Sequence, residues 1–392
     1  MTDDQDFRSI GSDVIDRSYD LAVIGAGIVG LAHAYAAARL GKRVIVIERN
    51  GRALGASIRN FGFITVTGQE AGDTWRRARR SRDHWVELSA EAGIPIEHEG
   101  MLLVVRRPES VRVAEAFLKT DMGVGCALLD RADLLQRFPQ ARVTDAIGAL
   151  WSPHEVRVES REAIPRLTRW LQERWGVEFR FNTATLDVDP PSIRTSIGHI
   201  SAAAAIVCPG DDFVSLFADR IASRRLTKCR LSMLRLAAPG YRLPAALMSD
   251  LGLVRYLGYA ALPEAVALRE RLEREQSAQL RHGIHLIVVQ STDGSLVVGD
   301  SHHYDDTPLP YASAETERLI LDELRAATAI DTPVVERWTG VYASAPDRPM
   351  VVDTPMPSVR TVIITSGTGA STAFAIAEEV VGDLYDQTFE DL

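Results

Sequence analysis

Gly25, Gly27 and Gly30 stand in G-x-G-x-x-G spacing, and an acid, Glu48, follows 18 residues after the last of them. Residues of these types at this spacing suit the holding of a dinucleotide. Gly25 permits a tight turn, Gly27 lets the backbone approach a pyrophosphate, and Gly30 lets helix and strand pack closely. Ile28, inside the same turn, counts among the contacts. The free N–H groups and positive dipole end of the helix that follows would take the phosphates. A carboxylate at the place of Glu48 would accept the ribose hydroxyls.

The elements that must position these residues are legible around them. Leu21 to Ile24 is an apolar run too short for a helix and right for a buried parallel strand. Leu31 to Leu40 is rich in Ala and Leu, both strong helix formers, and Gly41 stops it. Val44 to Ile47 is a second buried strand ending in Glu48. A bare glycine pattern is a weak signal. Strand, glycines, helix, strand and terminal acid in that order are a strong one.

Composition bounds the rest. The 392 residues are enough for two domains with ample cores, and 46% hydrophobic and 25% charged content fit a soluble globular chain. A net charge of −9 argues against nucleic acid as a partner. No run of about 18 apolar residues occurs, so no membrane span is expected. The acidic, polar start MTDDQDFRSIGSD is read as neither a signal nor a transit peptide. Cys126, Cys208 and Cys229 are odd in number, widely spaced and without a metal pattern. They fit small buried hydrophobes in a reducing cytoplasm, with no metal expected.

Along the chain, residues 1 to 18 read as a lead-in. Gly51 to Gly68 suits backbone lying against a planar ligand. Residues 71 to 93 read as an amphipathic helix whose arginines face solvent. Helices are expected at 108 to 119, 131 to 137, Ser160 to about Trp175, 263 to 281, 314 to 328 and Thr372 to Tyr385. Strands are expected at Met101 to Val105, Val177 to Phe181, Ala202 to Val207, Arg230 to Ala237, Leu253 to Tyr259, Gly283 to Gln290, Ser295 to Gly299 and Val362 to Thr365. Asp293-Gly294 reads as a hairpin turn. The fold class is therefore α/β. A Rossmann-like dinucleotide-binding domain is assembled from 19–90, 151–225 and 331–386, and a second domain on an antiparallel sheet from 91–150 and 226–330.

IGAGIVGLAHAYAAARLGKRVIVIER, GASIRNFG, GVEFRFNT, VCPGDD and TSGTGAST occur here in one order. Together they resemble the FAD-dependent amine oxidoreductases of the D-amino acid oxidase, glycine oxidase and sarcosine oxidase superfamily. GASIRNFG, TGQEAGDTW, GDSHHY and GVYASAPDRPM resemble a subfamily proposed to oxidise aminophosphonates related to 2-aminoethylphosphonate. The resemblance implies FAD on Gly25, Gly27 and Gly30, with Glu48 at the ribose. It places Arg49 and the backbone near Thr185 at the adenine, and Ser57, Arg59, Asn60 and Gly210 along the flavin. The run Gly367, Thr368, Gly369, Ala370, Ser371 and Thr372 would stand at the flavin carbonyl end.

The departures from the family pattern are informative. The usual carboxylate-anchoring Arg is replaced by Tyr342, and the Lys of sarcosine oxidase by Ser371. Gly340 stands where a Cys makes the covalent flavin link, so FAD is expected to be non-covalent. The missing anchors point away from an ordinary α-amino acid. His302 and His303 are candidates for the substrate cavity with Tyr342 and Arg59, and Arg255, Tyr256 and Gln69 are weaker ones. The resemblance implies oxidation of a small amine to an imine, which hydrolyses to an aldehyde plus an amine. Molecular oxygen would be reduced to hydrogen peroxide. A D-amino acid, glycine or sarcosine oxidase, a dehydrogenase with another acceptor, and a non-catalytic flavin-binding protein are the alternatives. A homo-oligomer is compatible with the sequence.

Overall fold

A computed structural model describes residues 18–389. The lead-in foreseen at residues 1 to 18 lies, but for Ser18, outside the described residues.

Among the described residues two sheets carry the molecule. The first has eight strands, six of them in the order Met350–Met356, Val359–Ile364, Gly198–Val207, Tyr19–Ile24, Val44–Ile47 and Glu178–Arg180. The last five of these run parallel, and Met350–Met356 pairs antiparallel at the edge. Leu21, Val23, Val44 and Val46 are buried on the face covered by the helices Ile28–Arg39 and Gly369–Tyr385. The fingerprint strand and helix are present as read. Their glycines are required by contact. A Cβ on Gly30 would stand 1.9 Å from the Gly25 carbonyl oxygen, and one on Gly25, at φ +105°, would stand 2.6 Å from that of Cys208.

The second sheet has ten strands and is built mostly of antiparallel pairs. Its centre is apolar, with Leu102, Leu103, Val104, Val288 and Val298 fully buried. The expected hairpin joins Ile287–Gln290 to Leu296–Gly299. The mixed α/β class, with a Rossmann-like sheet assembled from separated segments beside an antiparallel sheet, is what the sequence predicts.

Several elements differ from expectation. Leu253 to Tyr259 is not a strand. It forms a 3-10 turn over Asp250–Val254 and a short helix over Leu257–Ala260. Gly258 donates its N–H to the Gly68 carbonyl, and the Tyr259 ring packs on Phe117 at 4.7 Å between centroids. These contacts fold the segment inward, where a strand would have alternated its side chains. The helix expected at 263 to 281 is broken at Gln276 into Ala265–Glu275 and Ser277–Arg281.

Gly148–Val158 and Val334–Ser344 are long strands of the second sheet that the sequence does not announce. The first contains Pro153, and its pairing shifts register, which hides its alternation. It spans residue 151, and the second spans 334 to 344, so both draw chain from the expected dinucleotide-binding segments into the second sheet. Helix Asp73–Glu91 does not simply face solvent either, since Arg77 and Arg80 pair with Glu379 and Glu378 of the closing helix.

Candidate active site

A cavity of about 540 Å³ opens where Tyr19–Ile24, Val44–Ile47, Gly198–Val207 and Val359–Ile364 end. This is the carboxyl edge of a parallel sheet, at the point where strand order reverses on either side of the first strand, the usual place for a ligand in such a sheet. Gly25, Gly27, Ile28 and Gly30 line it, as do Glu48, Arg49, Ser57, Arg59, Asn60, Thr185 and Gly210. Gly340, Tyr342, Gly367, Gly369 and Ala370 line it as well. Segments distant in sequence thus meet on one cavity.

The polar groups there have defined settings. Glu48 is nearly buried, and its Oε2 accepts from the Ala26 N–H at 3.0 Å. Its Oε1 accepts from the Asn50 backbone N–H at 3.0 Å and from Asn50 Nδ2 at 3.1 Å. These bonds fix the carboxylate beside the fingerprint turn. The Ile28 N–H donates to Ser57 Oγ at 2.9 Å, which ties the loop to the first turn of the helix. Asn60 is an organiser of that loop, since Nδ2 donates to the Ala56 carbonyl and Oδ1 accepts from the Gly62 N–H and Ser160 Oγ. Arg49 pairs with Asp212 at 2.6 Å. Arg59 is exposed at the cavity.

Two helix N-termini, at Ile28 and Gly369, open on the same cavity and offer N–H groups to anionic portions of a ligand. With a fixed carboxylate and close-packed glycines between them, this donor set fits FAD.

Not every expected residue reaches the cavity. Thr368, Ser371 and Thr372 do not line it. Ser371 is buried and its Oγ accepts from the Thr65 N–H at 2.9 Å, while Thr372 Oγ1 donates to the Thr368 carbonyl at 3.0 Å. These side chains hold the turn whose backbone faces the site. His302 and His303 do not line the cavity either. His302 is buried with Nδ1 2.9 Å from the Gly283 carbonyl, and His303 Nε2 is 2.9 Å from His282 Nδ1. Gln69 is buried and donates to Thr65.

Tyr342 does line the cavity, and its ring lies about 3 Å from where a Cβ on Gly367 would stand. Burial pushes its phenol well above the ordinary range, so the hydroxyl is a neutral donor. Behind it lies a polar cluster. Arg255 Nη2 donates to the Tyr304 hydroxyl at 3.1 Å, and its charge acts on Tyr342, Asp300, His285 and His302. Sequence reasoning ranked Arg255 low and passed over Asp300 and His285. The D-x-H spacing of Asp300 and His302 would have placed both on one side of an extended segment.

The chain matches the family model described as FAD dependent oxidoreductase over residues 20–382. No curated protein matches it by sequence. Among solved structures it is similar to glycine oxidase from Bacillus cereus ATCC 14579, at 15% identity and TM-score 0.74, covering 95% of this chain and 98% of that one. It is similar to L-proline dehydrogenase from P. horikoshii at 17% identity and TM-score 0.74, covering 95% of each chain. It also resembles L-alpha-glycerophosphate oxidase from Mycoplasma pneumoniae with FAD bound, at 16% identity and TM-score 0.71, covering 94% of this chain and 95% of that one.

Proposed function

The chain belongs to the FAD-dependent oxidoreductase family, and from that premise we propose that it oxidises the C–N bond of a small amine bearing an anionic group. The substrate class is an aminophosphonate related to 2-aminoethylphosphonate or its N-alkyl derivative.

The observation that carries this reading is where the positive charge sits. The cavity presents Tyr342, a neutral donor, at the position where the superfamily's carboxylate anchor is expected, and Arg255, outside the cavity lining and bonded to Tyr304, acts on Tyr342 by its charge. A dianionic phosphonate has three acceptor oxygens and is suited to one guanidinium plus several neutral hydroxyls. A monoanionic carboxylate is best served by a bidentate arginine, which position 342 lacks.

Bound FAD would supply two-electron oxidation of a neutral amine at its α-carbon, with molecular oxygen as the expected acceptor. The chain supplies binding and orientation. Gly25, Gly27 and Gly30 would hold the pyrophosphate, Glu48 the ribose, and Arg49 and Thr185 would border the adenine. Ser57, Arg59, Asn60 and Gly210 would lie along the flavin. The turn at Gly367, Gly369 and Ala370, which lines the cavity at a helix N-terminus, would offer N–H groups to its carbonyl end, where they favour negative charge. Gly340 offers no thiol, so FAD is held without a covalent bond. The imine product is hydrolysed by water to an aldehyde plus an amine.

The test is anaerobic stopped-flow bleaching of the flavin. Aminoethylphosphonate-type amines should reduce it faster than glycine, sarcosine or D-alanine at equal concentration. Arg255→Met should raise the half-saturating phosphonate concentration about 10–150-fold, the loss of one charged hydrogen bond, with FAD content unchanged. If D-alanine or sarcosine bleached the flavin as fast as every aminophosphonate tried, the phosphonate reading would fail.

A further inference from the structure

The second sheet holds a cluster that the cofactor cavity does not use. His285, Asp300 and His302 are 4%, 3% and 7% exposed. One ligand atom from each lies within 4.8 Å of the other two. His285 Nδ1 is 3.2 Å from Asp300 Oδ1, and His302 Nε2 is 3.8 Å from Asp300 Oδ2. Two ligand atoms at ordinary Zn²⁺ bond lengths in tetrahedral geometry are about 3.4 Å apart, a value between these two.

The opposite ring nitrogens are already engaged. His302 Nδ1 faces the Gly283 carbonyl at 2.9 Å, so it carries the proton and leaves Nε2 with its lone pair. His285 Nε2 is 3.2 Å from the Tyr256 hydroxyl, and a proton held there leaves the lone pair on Nδ1. His285 Nδ1 and Asp300 Oδ1 are both buried, and apart from their approach to each other neither has a hydrogen-bond partner among the described residues. Buried polar atoms left in this state call for an occupant.

We propose that His285 Nδ1, His302 Nε2 and the carboxylate of Asp300 bind one divalent first-row transition cation. Two imidazoles and one carboxylate are the donor set of open Zn²⁺ sites and of non-heme Fe²⁺ sites. The Gly283 carbonyl and the Tyr256 hydroxyl orient the rings from behind, as outer partners do at such sites. Arg255 opposes any cation by charge, and the carboxylate offsets that repulsion. The balance favours a metal with strong affinity for nitrogen over Mg²⁺ or Ca²⁺, which prefer oxygen. The site does not depend on the substrate reading.

The experiment uses FAD-loaded protein stripped with a chelator and dialysed against Zn²⁺, with metal measured by mass spectrometry and FAD by absorbance. Wild type should bind one Zn²⁺ per chain, and Asp300→Asn and His302→Gln less than a tenth of that with FAD content unchanged. Mg²⁺ in place of Zn²⁺ should not be retained. Wild-type protein with full FAD that binds no Zn²⁺ overturns the site, as does undiminished binding in Asp300→Asn. Should a variant not fold, X-ray absorption on the Zn²⁺-loaded wild type decides. Two imidazole nitrogens and a carboxylate oxygen at about 2.0–2.2 Å support the site, and a shell without imidazole overturns it.

Discussion

Asp250 and Asp300 are both buried carboxylates, each one residue beyond the end of a strand in the second sheet, Ala246–Ser249 and Leu296–Gly299. Asp250 is saturated. It accepts from the Arg106 N–H and guanidinium, from Arg107 Nη1 at 3.0 Å to each oxygen, and from Ser110 Oγ at 2.8 Å. Arg106 also pairs with Glu323, and Arg107 with Glu275. Asp300 has two imidazoles near it, one guanidinium charge at longer range, and an oxygen with no partner. One cluster is answered by the chain itself and serves the fold. The other is left open, which costs stability unless something binds there.

The largest effect separates the two at once. Asp250→Ala removes the shared acceptor of two buried guanidiniums, and breaking a buried ion network from one side costs about 3–5 kcal/mol. Denaturant titration should show that loss in the midpoint. A loss below about 1 kcal/mol would mean that Glu323 and Glu275 suffice, and the contrast with Asp300 would weaken.

Glu48 is an intermediate case, held by three N–H groups of its own chain yet lining the cavity. Glu48→Ala should weaken FAD affinity by about 1.5–3 kcal/mol, measured by titrating the apoprotein. Unchanged affinity would move Glu48 to the saturated, structural class.

The contrast also marks what the sequence could show. The cofactor cavity was legible because its main parts are local. Gly25, Gly27, Gly30 and Glu48 belong to one βαβ unit, and the turn from Gly367 to Gly369 is one strand-to-helix turn. The open cluster was less so: His285 and Asp300 flank the two strands of one hairpin, but Arg255 reaches them only through the inward fold of 250–260. Leu253 to Tyr259 read as a strand because its apolar residues recur, and contact with Gly68 and Phe117 overrode that local pattern. His302 was singled out for the right chemical type, but its ring sits away from the cavity.

A smaller effect comes from Glu378, a second answered acid. Burial raises its carboxyl, but hydrogen bonds from His84 and Arg80 outweigh this and bring it down to about 2. A carboxyl lower in the folded chain than in the unfolded one stabilises the fold above its unfolded value near 4.5. That contribution fades as pH falls toward about 2. Its side chain is not fully enclosed, so the share is on the order of 1–2 kcal/mol. Glu378→Gln should therefore flatten the fall in stability between about pH 5 and 2.5, followed by urea titration. An unchanged slope would assign the acid sensitivity to other carboxylates.

The smallest effect is the sharpest test of the comparison. Asp300→Asn keeps the shape of the side chain and replaces an oxygen that has no partner with an amide N–H that His285 Nδ1 can accept. In chelator-treated, FAD-loaded protein the change should shift stability by less than about 1 kcal/mol in either direction, because no closed network is broken. That is several-fold less than the loss expected at Asp250. Adding Zn²⁺ should then raise the melting temperature of the wild type and leave Asp300→Asn unmoved, since only a ligand bound to the folded form stabilises it by mass action. If Asp300→Asn instead cost as much as Asp250→Ala in the presence of chelator, Asp300 would be a structural acid like Asp250, and the distinction between an answered and an open carboxylate would fall.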